Sequence, residues 1–197
     1  MKLLKIAAII AVLILGLFFG FYAYMGGFSK VEVTRAEYGP AEILYATHKG
    51  SYRTISKSWG AFQKQWEAAG LKECQTLAVY LDAPGTPEDQ LRSILGCRID
   101  ALSSAEKQSL RGKLPHFTLP KSRVLMSTFP YKNVASFFIA PGKVYPEFQK
   151  IMSAEKIMPP VGIEVYGTMT SVRNISFYMP VEGKREDYQP LLDAFGR

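Results

Sequence analysis

Glu164 stands in the run Gly162-Ile163-Glu164-Val165-Tyr166, where strand alternation sends Ile163 and Val165 to one face and Glu164 and Tyr166 to the other. A carboxylate set among tyrosines offers a definite piece of chemistry. Aromatic faces attract positive charge and the carboxylate supplies a counterion, so the combination makes a receptor for a lipophilic cation. In an apolar groove the same carboxylate would have a raised pKa and could position a water, with a tyrosine hydroxyl as acid or hydrogen-bond donor; that is the equipment of a general-base hydrolase. Two further strands carry tyrosines in the same way: Leu77, Val79 and Leu81 alternate with Ala78 and Tyr80, and Ile175, Phe177 and Met179 alternate with Ser176 and Tyr178. Each strand offers an apolar row for a core and a tyrosine on its opposite face. Tyr45 and Tyr52 lie on neighbouring elements, and spacing leaves their part open. The competing reading makes Glu164 an exposed strand residue paired with a Lys or Arg, and the tyrosines ordinary sheet packing.

Other catalytic equipment is scarce. His48 and His116, the two histidines, are too far apart for a local metal motif, and imidazoles without clustered Asp or Cys ligands make a poor zinc site. Neither Cys74 nor Cys97 has an activating base nearby in sequence. A nucleophile elbow, a phosphate-binding glycine loop and a dinucleotide fingerprint are all absent from the sequence. No metal and no cofactor is expected, and no catalytic residue unless Glu164 serves a hydrolase.

The elements that must position these residues begin with an anchor. Uncharged residues run from Ile6 to Ser29 behind Lys2 and Lys5, long enough at about 1.5 Å per residue to cross a hydrocarbon layer of about 30 Å. A signal peptide would have a shorter core ending in a small-x-small cleavage site; here the run leaves through Phe21-Tyr22-Ala23-Tyr24-Met25-Gly26-Gly27-Phe28, whose aromatics suit a membrane interface. Residues 1–29 are therefore read as an uncleaved transmembrane anchor, with a cleaved signal as the rival. Lys2 and Lys5 facing Lys30 and Arg35 place the following domain on the non-cytoplasmic side, periplasmic or extracellular, by a small margin. In such a compartment Cys74 and Cys97 could form a disulfide; buried free thiols are the alternative.

Residues 30–197 suffice for one domain with a substantial core. The formal charge of +7 is spread as single Lys and Arg residues, without the dense basic run of a nucleic-acid partner. The periodicity is mixed α and β, and it occurs twice. Glu42 to His48 suits a strand, Lys49-Gly50-Ser51 a turn, and Ile55, Trp59, Phe62 and Trp66 the core face of a helix ended by Gly70; strands follow at 76–81 and 93–100. A helix over 103–111 and the segment 115–120 form a bridge. A second unit then runs through a strand at 123–129, a helix kinked or broken near Pro141, and strands at 162–166 and 174–179. The fold class is α+β, a pseudo-twofold pair of strand-helix-strand-strand units at about 40–102 and 121–183, preceded by one transmembrane helix.

The order of these elements and the words within them resemble the GyrI-like small-molecule-binding domain, the effector-binding domain of the SOUL/GyrI superfamily found in bacterial multidrug-responsive regulators. Lys49-Gly50-Ser51-Tyr52, Val79-Tyr80-Leu81-Asp82-Ala83-Pro84 with Leu91-Arg92, Gly162-Ile163-Glu164-Val165-Tyr166 and Phe177-Tyr178-Met179-Pro180-Val181 carry the likeness across about 42–183. The anchor, Thr128-Phe129-Pro130-Tyr131 and Ile163-Glu164-Val165-Tyr166 are similar to a membrane-anchored branch that includes the testis-expressed endoplasmic-reticulum-phagy receptor of mammals. The resemblance implies a ligand groove between the repeats, with Glu164 contacting cationic ligands and aromatics including Tyr178 lining it. Ser176 replaces a second glutamate found in many members, which lowers the expected negative charge and brings neutral amphipathic molecules forward.

Three functions follow as expectations: a membrane-tethered module binding small amphipathic or cationic molecules through Glu164, Tyr166, Tyr178, Tyr80, Tyr45 and Tyr52; a hydrolase of reactive small molecules using Glu164; and a membrane adaptor acting through a protein partner. The chain's end soon after Tyr188-Gln189-Pro190-Leu191-Leu192 argues against direct transfer of the receptor's tail-mediated role, and the membrane span in place of a helix-turn-helix argues against DNA binding.

Overall fold

Strand alternation and register decide the architecture of this chain, described here for residues 2–168 and 171–196 of a computed structural model. Helix α1 (Lys2–Tyr24) is followed by β1 (Thr34–Tyr38), β2 (Ala41–Lys49), α2 (Ile55–Ala68), β3 (Gln75–Tyr80), β4 (Arg92–Arg98), α3 (Ser104–Arg111), β5 (His116–Leu119), β6 (Ser122–Pro130), α4 (Ser136–Glu155), β7 (Gly162–Thr168), β8 (Asn174–Pro180) and α5 (Gln189–Asp193). All eight strands form one antiparallel sheet in the order β1-β6-β8-β7-β3-β4-β2-β5. The fold is α+β and its two halves repeat. The unit β2-α2-β3-β4 is matched by β6-α4-β7-β8, and the halves join where β3 pairs with β7, Val79 opposite Ile163.

Two strands extend the units expected from sequence. The strand preceding each unit pairs with the edge of the other: β1 lies against β6, Ala36 opposite Val124, and β5 lies against β2, Ile43 opposite Phe117. Both are largely exposed edge strands, and on β1 the charged side chains Arg35 and Glu37 protect that edge from further pairing.

One sheet face gathers Ile43, Leu77, Val79, Ile94, Ile163 and Val165, capped by Tyr188 and Leu191 of the C-terminal segment. The other is covered by helices. Phe62 and Trp66 of α2 and Leu110 of α3 pack on Leu44, Leu95 and the disulfide of Cys74 with Cys97, so the two cysteines are bonded. Ala140, Val144, Phe148 and Met152 of α4, each one turn apart, pack on Leu125, Phe129, Ile175 and Phe177. That row bears on the kink or break expected near Pro141: the long helix is unbroken and runs through Pro141 and Pro146 to Glu155. Each interior proline costs about 3 kcal/mol, and burial of Val144, Phe148 and Met152 at roughly 1.5–3 kcal/mol each offsets a cost of that size.

At the middle of the first unit the sheet has no room for a side chain on β4. A Cβ at Gly96 would lie 2.7 Å from Leu77 Cδ1 and 3.3 Å from Ile43 Cδ1, both residues being fully buried. Gly96→Ala is therefore expected to destabilise the chain by about 1–3 kcal/mol through overpacking. Urea unfolding should show a lower midpoint at unchanged slope; an unchanged midpoint would mean that Leu77 has space to move.

Candidate functional site

A buried carboxylate must find hydrogen-bond donors or give up its charge. Glu164, on β7 at the seam between the units, is 5% exposed and finds three. Tyr145 of α4 donates to Oε1 at 2.6 Å. Tyr166, two residues along β7, donates to Oε2 at 3.0 Å, and Tyr80 of β3 lies 3.3 Å from the same oxygen and 2.9 Å from the Tyr166 hydroxyl. Burial pushes the Glu164 carboxyl above the usual range, and the three tyrosine hydroxyls pull it back only in part. Burial, and after it the charge of Glu164, holds Tyr80, Tyr145 and Tyr166 well above the ordinary tyrosine value, so each keeps the proton it donates. Among the described residues the hydrogen bonds to Glu164 all come from tyrosines and none from a Lys or Arg.

Aromatic rings close over this centre from both helices. Trp59 of α2 meets the Tyr166 ring edge-on at 6.1 Å, and Phe137 of α4 does so from the other side at 5.4 Å. Tyr52, in the turn before α2, stacks edge-on against Tyr80 at 5.1 Å; burial, then Asp82 and Glu164, push its hydroxyl up to about 12. The result is a carboxylate in an aromatic cage between α2 and α4, closed in this state.

Of the residues singled out from sequence, Glu164, Tyr166, Tyr80 and Tyr52 come together. Tyr178 and Tyr45 do not. The register sets Glu164 opposite Phe177 and Ile163 opposite Tyr178, so the last strand turns its Ile175-Phe177-Met179 row toward α4 and places Tyr178 on the other face, its ring 4.5 Å from Tyr38. Tyr45, opposite Gly96, shares that face, as does Ser176, opposite Val165.

Tyr145, Phe137 and the ring role of Trp59 are additions. Phe137 and Tyr145 stand a little over two turns apart on α4 with Pro141 between them; an unbroken helix puts both on the side of α4 flanking its core row. His48 is buried and structural, its Nε2–H donating to the Ser51 carbonyl at 3.2 Å while Nδ1 accepts from Ser58 of α2 at 2.8 Å. His116 is exposed on β5, and no three metal-ligating residues cluster among the described residues. An open cleft of about 460 Å³ between β1, β6 and the end of α4 carries charges already satisfied, Arg35 by Glu155, Arg123 by Glu182 and Glu37 by Lys121.

The native carboxyl of Glu164 holds its proton more tightly than the unfolded one, so stability is greatest below the ordinary carboxylate pKa of about 4.3 and declines as pH rises toward the raised value. Glu164→Gln cannot titrate, and in urea titrations of the full chain in nonionic micelles its stability should not share that decline. Parallel pH profiles for both proteins would remove the raised pKa. Tyr145→Phe leaves Oε1 without its donor and is expected to cost about 2 kcal/mol, less in a Glu164→Gln background; equal costs in both would mean that the two side chains do not act as a pair.

No family model and no curated protein matches the chain, but solved structures match its fold. The C-terminal domain of EcmrR aligns with a TM-score of 0.54 at 9% identity, over 77% of this chain and 98% of that one. SAV2435, in a structure bound to tetraphenylphosphonium, aligns with a TM-score of 0.50 at 15% identity, over 78% and 94%. The integron cassette protein VCH_CASS2 of Vibrio cholerae aligns with a TM-score of 0.51 at 12% identity, over 78% and 98%.

Proposed function

We propose that this chain, whose fold is the GyrI-like one of effector-binding domains, is a membrane-anchored receptor for small amphipathic or cationic molecules, captured between its two units at Glu164. One observation carries the reading: a buried carboxylate without a basic partner among the described residues, held by three tyrosine hydroxyls and enclosed by Trp59, Phe137 and Tyr52. A structural acid would be better matched by Lys or Arg, whereas a ligand cation entering among these rings would meet both a counterion and aromatic faces. SAV2435, of like fold, binds a lipophilic cation of that kind. Entry requires α2 and α4 to part, and apparent affinity falls by the fraction of molecules that are open.

The anchor reading has its own support. Helix α1 is long and apolar enough to cross a membrane, and the residues after it are part of the fold: Met25, Gly26 and Gly27 are buried, Met25 with no exposed surface. A cleaved signal would remove that packing. The Cys74–Cys97 disulfide suits a domain on the oxidising, non-cytoplasmic side. Hydrolysis has less support, because Tyr145 and Tyr166 occupy both carboxylate oxygens where a water would have to be activated.

Calorimetric titration of the full chain in lipid nanodiscs with tetraphenylphosphonium, and with neutral triphenylphosphine oxide, tests the assignment. Glu164→Gln should weaken the cation at least tenfold, about 1.4 kcal/mol, and leave the neutral compound nearly unchanged. Equal losses would remove the counterion role, and product formed from any bound compound would favour the hydrolase. Absence of binding by either compound would favour the adaptor.

A further inference from the structure

The domain is not joined to α1 by a free linker. After Tyr24 the chain folds back through Gly26 and Gly27, where a Cβ on Gly27 would lie 2.3 Å from the Tyr22 ring, and Phe28 packs against Tyr22 at 5.1 Å and Phe19 at 6.5 Å. The same turn is clamped to the loop leading into α4. Asn133 donates to Met25 Sδ at 3.4 Å, and Lys132 Nζ stands 5.8 Å from the centre of the Tyr24 ring. Immediately beyond this clamp Val134 and Phe138 are 66% and 77% exposed. Val134 lies in the turn that leads into α4, its carbonyl accepting from Phe137 N–H at 3.2 Å, and Phe138 in the first turn of the helix.

We propose that the start of α4, with the turn that leads into it, is seated in the bilayer interface, Val134 of that turn and Phe138 of the helix lying among the upper acyl chains. This rests on the reading of α1 as a retained anchor. Continuity with the anchor identifies the occupant as lipid: residues in contact with the end of a membrane-spanning helix lie at headgroup depth, and exposed apolar side chains there are buried by the interface itself. The charge is suitable, since Lys132, Lys30 and Arg173 are exposed around the clamp, Arg173 being held beside Tyr131 by its carbonyl, against the acidic neighbour Glu32 in the exit segment. Phe137 belongs to the same turn and turns its ring inward onto Tyr166. The piece that closes the cage on the α4 side is thus carried by the turn that touches lipid, and a lipophilic ligand dissolved in the membrane reaches the cage beside Phe137 without crossing bulk water.

The test uses the full chain in phosphatidylcholine vesicles containing phosphatidylglycerol. With Cys74 and Cys97 bonded, the variants Val134→Cys, Phe138→Cys and, as an aqueous reference on α3, Gln108→Cys each offer one thiol for a spin label. Labels at 134 and 138 should collide with oxygen relative to a water-soluble nickel chelate several-fold more often than the label at 108. Ratios equal to that at 108, in protein that alkaline carbonate does not extract, would overturn the seating of α4 and leave the anchor intact. Extraction by carbonate would overturn the anchor reading and this inference with it.

Discussion

The need to satisfy one buried carboxylate organises the middle of this molecule. Glu164 sits where β7 of one unit meets β3 of the other, and its donors come from both: Tyr80 from the first unit, Tyr145 and Tyr166 from the second. Leaving such a group without donors costs several kcal/mol, whereas each charge-assisted hydrogen bond returns about 1.5–3 kcal/mol. The position of α4 over the sheet is therefore set by two demands at once, the apolar row Ala140, Val144, Phe148 and Met152 on one side and the Tyr145 hydroxyl on the other. A shift of α4 by one helical position would break both.

The halves are also tied through their edges. Because β1 completes the second unit and β5 the first, neither unit holds its full set of strands without chain from outside it. This exchange makes the sheet continuous over eight strands and fixes the seam β3-β7 at its centre. Above this sheet α2 and α4 meet across the site through the rings of Trp59, Tyr166 and Phe137.

Much of this is legible in the sequence, and the limits have physical reasons. Alternation locates β2, β3, β4, β6, β7 and β8 within a residue or two, and the helical spacing of Ile55, Trp59, Phe62 and Trp66 locates α2, because both signals are local. Parity between strands is not local. Nothing in Ile175 to Met179 says whether the Phe177 row or the Tyr178 row faces the helices when both sheet faces are covered, and only the pairing of Glu164 with Phe177 decides it; family likeness puts Tyr178 in the cage, whereas its register puts it with Tyr38. Strand β1 escapes notice because an edge strand such as Thr34-Arg35-Ala36-Glu37-Tyr38 has too little apolar alternation to be recognised. Pro141 hides Tyr145, since a helix expected to kink or break there cannot be used to align Phe137 with it.

The closed cage constrains how the proposed receptor would work. A site that hydrogen-bonds its own carboxylate with three tyrosines competes with any ligand, and a cation gains only the difference between its own pairing and the ring packing that opening gives up. That difference grows with the ligand's apolar surface and its charge together. A small hydrated cation brings charge but cannot replace the packing of Trp59 and Phe137 on Tyr166; a neutral oil replaces the packing but offers Glu164 nothing. A molecule with both attributes would offset both losses and a neutral amphiphile only one, so under the proposed function the closed state would favour a lipophilic cation over a neutral compound of the same size, and both kinds of molecule partition to the membrane surface where the start of α4 is proposed to lie.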